Sequence, residues 1–228
     1  MSRAEAELKS EQGIELLKEG QVEEALKLFA QAIEEDPSYI NPYCHIGNVL
    51  SASNQAEQAI DWFQKAIELD ASFATAYYGK GAALYNLEKW SEAQAMFTKA
   101  EELGLENADL YYMLGMSSKN QGEGYEKQAL AYFQRALDYN PDDVEALFER
   151  GLCLAYMNHI EEALVDFERV VEQDPEHADA YYNLGVAYTM SERLEQAKEC
   201  FEHAINIQPN HLLALNGKKQ VEQLLENQ

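Results

Sequence analysis

The chain has 228 residues, of which 46% are hydrophobic, and its 17 Lys and Arg against 41 Asp and Glu give a formal net charge of −24. This composition is globular, and its acidity disfavours phosphate backbones and anionic lipid surfaces, which attract clustered Lys and Arg. We therefore expect no nucleic-acid or membrane partner and a preference for basic partners, although acidity also serves solubility.

The N-terminal segment, MSRAEAELKSEQ, is polar from its start and lacks the apolar region of a signal peptide. No later apolar stretch approaches the length that a bilayer-spanning helix needs. The three cysteines, Cys44, Cys153 and Cys200, share no metal-type spacing and are too few and too scattered for a disulfide framework. These features together predict a cytoplasmic protein.

A repeat of 34 residues extends along the chain. Glycine recurs at intervals of 34 residues, with one interval of 36, at Gly13, Gly47, Gly81, Gly115, Gly151 and Gly185. A later phenylalanine follows each of them, at Phe29, Phe63, Phe97, Phe133, Phe167 and Phe201. Alanine precedes each phenylalanine by four residues, and four of the units close with Pro37, Pro141, Pro175 or Pro209. A fixed period of this length is typical of repeat architectures.

Within each period the spacing predicts two helices joined by a turn. Tyr181, Leu184, Gly185 and Tyr188 fall on one helical face, and the alanine and phenylalanine positions form the facing stripe of a second helix. Glycine inside a helix costs roughly 0.5–1 kcal/mol relative to alanine, so six glycines in one phase need a structural reason. Close approach of the two helices, with phenylalanine filling the contact, provides that reason.

The pattern of glycine, alanine, phenylalanine, alanine and proline at this period resembles the tetratricopeptide repeat (TPR) family. The segments ATAYYGKG, NADLYYMLG and HADAYYNLGVAY are similar in particular to small bacterial TPR proteins of the YrrB type. The resemblance implies an all-α fold, a right-handed α-solenoid of six TPR repeats at about 6–39, 40–73, 74–107, 108–143, 144–177 and 178–211. A C-terminal capping helix at 212–228 would complete one continuous domain over 1–228.

Two departures from the family pattern are visible. Ala71 and Leu105 stand where proline is usual, and we expect Gly104 to cap its helix instead. The fourth unit carries two extra residues near 122–125, which we place in the loop between its helices.

The last segment is expected to pack through one apolar stripe and to leave its other face to water, as a terminal helix of a repeat array requires. The predicted stripe comprises Leu212, Leu215, Val221, Leu224 and Leu225.

No catalytic motif was found. The phosphate-binding GxxxxGK[ST] pattern, HExxH and GxSxG are missing, and Cys200 and His203 lack a third ligand for a metal. We therefore expect a protein that is not an enzyme and that has no cofactor and no metal site.

The resemblance implies that the first helix of each repeat lines a concave groove. The fourth residue of each unit is then expected to pack inward, at Lys9, Tyr43, Tyr77, Tyr111, Leu147 and Tyr181. The fifth is expected to face the groove, at Ser10, Cys44, Tyr78, Tyr112, Phe148 and Tyr182. The predicted peptide-binding residues are Asn48, Tyr78, Tyr85, Asn86, Tyr112, Met113, Met116, Lys119, Asn120, Phe148, Glu149, Leu152, Tyr156, Tyr182 and Asn183.

Aromatic and Met side chains in this lining suit a protein ligand, and Asn can donate to and accept from an extended backbone. The same residue types also stack neighbouring TPR repeats, which is the alternative role for each of them. Acids occupy the second position of several units, so a basic segment with apolar or aromatic character is expected and an acidic C-terminal tail is disfavoured.

The leading functional hypothesis is a non-catalytic adaptor that binds a peptide or helical segment of a partner. The alternatives are a structural scaffold that self-associates, or the regulatory subunit of an enzyme complex. The adaptor is expected to be a monomer, with weak self-association left open.

Overall fold

The computed structural model describes residues 2–227, and these form thirteen α-helices with no strand among them. The helices are α1 (Arg3–Lys18), α2 (Val22–Glu35), α3 (Asn41–Ala52), α4 (Ala56–Leu69), α5 (Ala74–Asn86), α6 (Trp90–Glu102), α7 (Ala108–Asn120), α8 (Glu126–Tyr139), α9 (Val144–Tyr156), α10 (Ile160–Gln173), α11 (Ala178–Met190), α12 (Leu194–Ile207) and α13 (Leu212–Glu226). Two helices therefore fall within each predicted repeat, and α13 follows the last one.

The chain forms two compact units: unit 1 ends at Gln121, and unit 2 begins at Gly122. Within unit 1, each of the helices α1 to α7 packs against its neighbours in the chain, and the same holds for α8 to α13 within unit 2. The boundary lies in the loop with two extra residues, between the two helices of the fourth predicted repeat. The single continuous domain stays a prediction.

Local side chains and glycines end the helices where the sequence predicts turns. Gly104 has φ +90° directly after Leu103, the C-cap residue of α6, which confirms its predicted capping role. The carboxylates of Asp36 and Asp70 accept hydrogen bonds from the backbone N–H of Ser38 and Ser72, at 2.9 and 2.8 Å. These bonds and those from the two serine hydroxyls hold the pKa of each carboxyl below its usual value.

Five of the repeated phenylalanines are buried with glycine backbone directly against the ring: Phe29, Phe63, Phe97, Phe167 and Phe201. A Cβ on Gly47 would lie 2.8 Å from the ring of Phe63, and a Cβ on Gly79 would lie 2.3 Å from it. Gly47 belongs to the same helix pair as Phe63, whereas Gly79 belongs to the next pair. The ring is 1% exposed, so two successive first helices close over it.

The last helix repeats this arrangement. Phe201 lies against Gly185 of its own pair and against Gly217 of α13, where added Cβ atoms would approach its ring to 2.8 and 2.7 Å. Gly217 follows Phe201 at the same interval at which Gly79 follows Phe63. Helix α13 therefore packs as the first helix of a further pair.

Because α13 packs in this way, its buried residues differ from those of the predicted apolar stripe. Ala214 and Val221 are buried, whereas Leu212, Leu215 and Leu224 are 72%, 41% and 47% exposed. The predicted apolar stripe is thus wrong for these three leucines. The reason is register: the face that carries Ala214, Gly217 and Val221 must turn toward Phe201, which directs Leu212 and Leu215 away from α12.

Candidate functional site

The predicted binding residues lie on the first helices of the pairs. Those in unit 1 are Asn48 on α3, Tyr78, Tyr85 and Asn86 on α5, and Tyr112, Met113, Met116, Lys119 and Asn120 on α7. Those in unit 2 are Phe148, Glu149, Leu152 and Tyr156 on α9, and Tyr182 and Asn183 on α11. We call the surface that these helices present in each unit its first-helix face.

The division between inward and groove-facing positions is less sharp than the sequence predicts. Of the fourth-position residues, Tyr111 and Leu147 are fully buried, but Tyr181 is only half-buried and stacks on His203, with ring centroids 5.0 Å apart. Of the fifth-position residues, Ser10 and Cys44 are 1% and 4% exposed. The expectation that these two face a groove is wrong, because their short side chains sink between the helices.

Lys9, a fourth-position residue, is half-buried rather than part of the apolar core. Its Nζ lies 2.8 Å from a carboxylate oxygen of Glu35. The ammonium therefore reaches the second helix of its own pair.

In unit 1 the first-helix face contains a polar link between α5 and α7. The amide Nδ2 of Asn120 donates a hydrogen bond to the hydroxyl of Tyr85 at 2.8 Å, and the Tyr85 ring meets the edge of Trp90 at 4.7 Å between centroids. Two predicted binding residues are thus brought together, and the bond between them connects adjacent first helices. Asn48 and Asn86 are exposed, and Met113 and Met116 are half-buried.

The fifth-position aromatics of unit 1 are half-buried. The ring of Tyr78 lies 5.5 Å from that of the core residue Phe97. Burial and the nearby Asp109 carboxylate raise the pKa of the Tyr78 hydroxyl, so it stays neutral at physiological pH and can both donate and accept. Tyr112 is half-buried at the equivalent position of α7.

In unit 2 each fifth-position aromatic lies between a core phenylalanine and the histidine that directly precedes the next first helix. Phe148 lies 6.0 Å from Phe167 and 4.7 Å from His177, measured between ring centroids. Tyr182 repeats this arrangement, at 6.0 Å from Phe201 and 5.2 Å from His211. These rings therefore contribute to stacking between successive helix pairs, and both are half-buried.

The two histidines also begin helices. Nδ1 of His177 accepts a hydrogen bond from the Ala180 N–H at 3.2 Å, and Nδ1 of His211 accepts from the Ala214 N–H at 3.1 Å. Because Nδ1 of His211 accepts, its Nε2 carries the proton and donates to Asp179 Oδ1 at 3.1 Å. The capping roles of His177 and His211 were not predicted, although both residues immediately precede a predicted first helix.

In unit 2, exposed apolar side chains lie at the C-terminal ends of two first helices. Tyr156 is 67% exposed at the C-terminal end of α9, and Met190 is 52% exposed at the equivalent position of α11. Leu152 is half-buried one turn before Tyr156. Glu149 is only 9% exposed, and the Asn183 amide donates to the Asp179 carbonyl at 2.8 Å, so neither projects freely from this face.

A pocket of about 330 Å³ opens between α11, α12 and α13. We call it the α11–α13 pocket, and its lining comprises Tyr182, Val186, Thr189, Met190, Phe201, Leu213, Asn216, Gly217, Gln220 and Val221. Only Tyr182 among these was a predicted site residue. The missed signal was the interval from Phe201 to Gly217, which marks α13 as another first helix.

Within residues 2–227, no group of three or more His, Cys, Asp or Glu side chains could hold a metal ion. The same part of the chain contains no helix long and apolar enough to cross a membrane.

Comparisons with known proteins agree on the repeat. Tetratricopeptide repeat profiles match residues 125–182 and 178–211, and a TPR repeat profile matches residues 47–88. No curated protein matches the chain significantly.

Among solved structures, the crystal structure of YrrB, described as a TPR protein with an unusual peptide-binding site, is 48% identical. The match covers 84% of this chain and 97% of YrrB, with a TM-score of 0.77. PilF from Pseudomonas aeruginosa shares the fold at 20% identity, covering 96% of this chain and 99% of PilF with a TM-score of 0.82. MamA shares it at 22% identity, with 72% and 95% of the two chains covered and a TM-score of 0.67.

These matches confirm the all-α TPR fold and the resemblance to YrrB, while the number and handedness of the repeats stay predictions. The chain belongs to the tetratricopeptide repeat family.

Proposed function

We propose that the chain is a protein-interaction module whose first-helix faces bind a peptide or helical segment of a partner protein. The observation that carries this proposal is the exposed apolar lining of unit 2, where Tyr156 and Met190 extend into solvent at equivalent positions of α9 and α11. Large apolar side chains of this kind are enriched at protein-binding surfaces. TPR proteins are generally non-catalytic interaction modules, and YrrB is described as having a peptide-binding site.

The partner segment is basic in this proposal. The chain carries a net charge of −24, and the first turn of several first helices carries an acid, at Asp109, Glu145 and Asp179. An acidic C-terminal tail would meet like charges there, whereas Lys and Arg would be attracted. Binding should therefore weaken markedly as salt is added, because exposed ion pairs are screened. Affinity that is indifferent to salt would contradict the basic character of the ligand.

The test of the binding face is affinity capture from cell extract with matched variants. Tyr156→Ala and Met190→Ala together shorten two exposed side chains that contribute little to the core. Val165→Ala is the control, because Val165 is 55% exposed on the second helix α10 of the same unit. We expect a partner that is retained by wild type and by the control but lost by the double variant.

Equal capture by all three proteins would exclude this face of unit 2 as the binding site. Circular dichroism of each variant establishes that the fold is kept. A double variant of Tyr112→Ala and Tyr182→Ala tests the fifth-position aromatics, although the contact of Tyr182 with Phe201 makes its stability control essential.

A self-associating scaffold is the second candidate, favoured by the exposed leucines Leu212, Leu213 and Leu215 on α13. Sedimentation velocity at several protein concentrations distinguishes the two proposals. A monomer throughout would exclude the scaffold, and concentration-dependent growth that Leu212→Ser abolishes would support it. We assign the protein to the cytoplasm, as the sequence predicts.

A further inference from the structure

We propose that the α11–α13 pocket is an anchor site for one large aliphatic side chain, such as leucine or methionine, that lies next to a lysine or arginine in the bound segment. This inference rests on the proposed function and assigns to it a defined binding site and a ligand chemistry.

The base of the pocket is apolar. Phe201 and Val221, which are 2% and 1% exposed, form its floor, and Val186 and Leu213 line opposite walls. None of the lining residues carries a charge, although 25% of the residues in the chain are charged. A charged side chain entering the pocket would lose its hydration without gaining a partner, so the pocket selects an uncharged, apolar side chain.

The pocket exists because Gly217 allows α13 to approach α12 closely. A Cβ at this position would lie 2.7 Å from the Phe201 ring, so a side chain there would push α13 outward. The ring of Phe201 is consequently covered on one side by helix backbone and reached on another from the pocket. This helix contact makes the pocket part of the fold before any ligand arrives, which favours affinity because little ordering is needed on binding.

The walls carry groups that suit a peptide backbone. Asn216 and Gln220 are exposed and one turn apart on α13, and each amide offers both a donor and an acceptor. The hydroxyl of Thr189 donates to the Gly185 carbonyl at 2.8 Å, so its remaining capacity toward a ligand is to accept. A ligand N–H is therefore the natural partner of Thr189.

An acidic side chain lies close to Tyr182, one of the residues that line the pocket. Asp179 lies one turn before Tyr182 on α11, both contact His211, and the Asp179 side chain remains 68% exposed. His211 donates to one oxygen of this carboxylate, which leaves acceptor sites for a cation from the ligand.

Residues 178–227 contain four Lys or Arg residues. Lys219 is exposed on α13, two residues from both Gly217 and Val221 and so about 200° around the helix from these pocket residues. The other three pair with carboxylates. Arg193 pairs with Glu161, Lys198 with Glu222, and Lys218 with Glu202. These three cations are therefore already occupied by carboxylates within the described part of unit 2. Charge complementarity thus places a lysine or arginine of the ligand beside Asp179 while the adjacent apolar side chain enters the pocket.

The experiment selects ligands from a displayed library of random nonapeptides, with the full chain as bait. Wild type is compared with Gln220→Trp, which fills the pocket from an exposed position, and with Val165→Trp, which adds the same ring on the exposed face of α10. We expect wild type and Val165→Trp to enrich peptides with leucine or methionine next to lysine or arginine. We expect Gln220→Trp to lose the aliphatic preference and to bind the best wild-type peptide about tenfold more weakly.

A second measurement locates the ligand. Spectra of protein labelled with ¹³C at its methionine methyl groups report on the pocket through Met190, whose signal is assigned with Met190→Leu. The best peptide should shift the Met190 signal, and replacement of its aliphatic residue by alanine should remove that shift. If Gln220→Trp proves unfolded by circular dichroism, Leu213→Lys replaces it, since a cation at the mouth should repel the same peptides.

The outcomes separate this proposal from the one on which it depends. Basic peptides with no aliphatic preference, or the same consensus from wild type and Gln220→Trp, would overturn the anchor site and leave groove binding intact. Failure of wild type to select any peptide would overturn both. A Met190 signal that does not move while affinity is retained would place the ligand elsewhere on the molecule and also overturn the anchor site.

Discussion

The tight contacts between phenylalanine rings and glycine backbone make single methyl groups costly. We predict that Gly79→Ala destabilises the protein by about 1–3 kcal/mol, the usual cost of overpacking a core. The added Cβ would lie 2.3 Å from Cε1 of Phe63, and Gly47 closes the other side of the ring, so the ring has little room to move. Urea denaturation followed by circular dichroism measures the change in the free energy of unfolding.

The double variant Gly79→Ala with Phe63→Leu is the control for this mechanism. If the clash with the ring is the cause, the alanine should cost clearly less in the Phe63→Leu background than in wild type. An equal cost in both backgrounds would contradict the packing explanation, since helix propensity alone favours alanine over glycine.

Buried thiols give a second prediction for single residues. Burial raises the pKa of Cys44 and of Cys200 to about 12. At pH 8 their thiolate fraction should therefore be roughly a thousandfold lower than in the unfolded chain, where a cysteine has a pKa of about 8.5. We expect Ellman's reagent to react with these thiols only slowly in native protein and rapidly in guanidinium. Rapid reaction of native protein that Cys44→Ala and Cys200→Ala abolish would contradict the burial.

The same shifts predict how stability depends on pH. Between about pH 8.5 and pH 12 the folded state keeps protons that the unfolded state releases, so these cysteines make stability fall as pH rises. The effect is absent below the unfolded pKa. Melting temperatures at pH 8 and pH 10 should differ more for wild type than for the variant with both cysteines changed to alanine.

At the scale of helices, the sequence repeat predicted the structural features that recur from one helix pair to the next. The helix pairs and the packing of phenylalanine against glycine follow from residue types that recur in one phase. The face of α13 did not follow, because its leucines are spaced like a buried stripe while its register is set by Gly217 against Phe201. A hydrophobic pattern identifies an amphipathic helix, but a steric contact with its neighbour decides which side is buried.

The candidate site was predictable to a smaller extent. The sequence identified the helices that carry it and the exposed Tyr156, but not that Asn120 would bond to Tyr85 or that Asn183 would bond to the Asp179 carbonyl. Those bonds depend on side-chain conformation and on distances between helices, which residue spacing does not specify. For the same reason, the sequence did not show how the adjacent Tyr181 and Tyr182 would be buried. One was predicted to pack inward and the other to face the groove, but both are half-buried.

A buried ion pair between α9 and α10 gives a prediction for a helix pair. Arg150 donates to both oxygens of Asp166, with Nε–Oδ2 at 2.7 Å and Nη2–Oδ1 at 2.5 Å, and Asp166 is 1% exposed. We predict that Asp166→Ala lowers the free energy of unfolding by about 3 kcal/mol, because the guanidinium would remain largely buried without its carboxylate.

The next repeat supplies the matched control. Its equivalent positions hold Leu184 and Cys200, which are both buried. The double variant Arg150→Leu with Asp166→Cys should therefore be close to wild type in stability or above it. A double variant as unstable as Asp166→Ala would mean that the pair fixes the geometry of α9 and α10 in a way that apolar packing cannot replace.

At the scale of the whole molecule, the charge of −24 acts on both stability and binding, and salt should change the two in opposite directions. Like charges repel more strongly in the compact state than in the expanded chain, so screening stabilises the fold. Attraction between an acidic face and a basic ligand is weakened by the same screening. Increasing sodium chloride from 0.02 to 0.3 M should thus raise the melting temperature while lowering affinity for the basic peptides selected above.

The expected gain in stability is about 1 kcal/mol, which corresponds to about 2–4 °C for a chain of this size. A variant with glutamine at the exposed residues Glu34, Glu172 and Glu199 should melt higher at low salt and respond less to added salt. Because these three residues lie on second helices, away from the first-helix faces, the variant should bind the peptides much as wild type does. A parallel loss of peptide affinity in this variant would show that net charge, rather than the local acids at Asp109, Glu145 and Asp179, attracts the ligand.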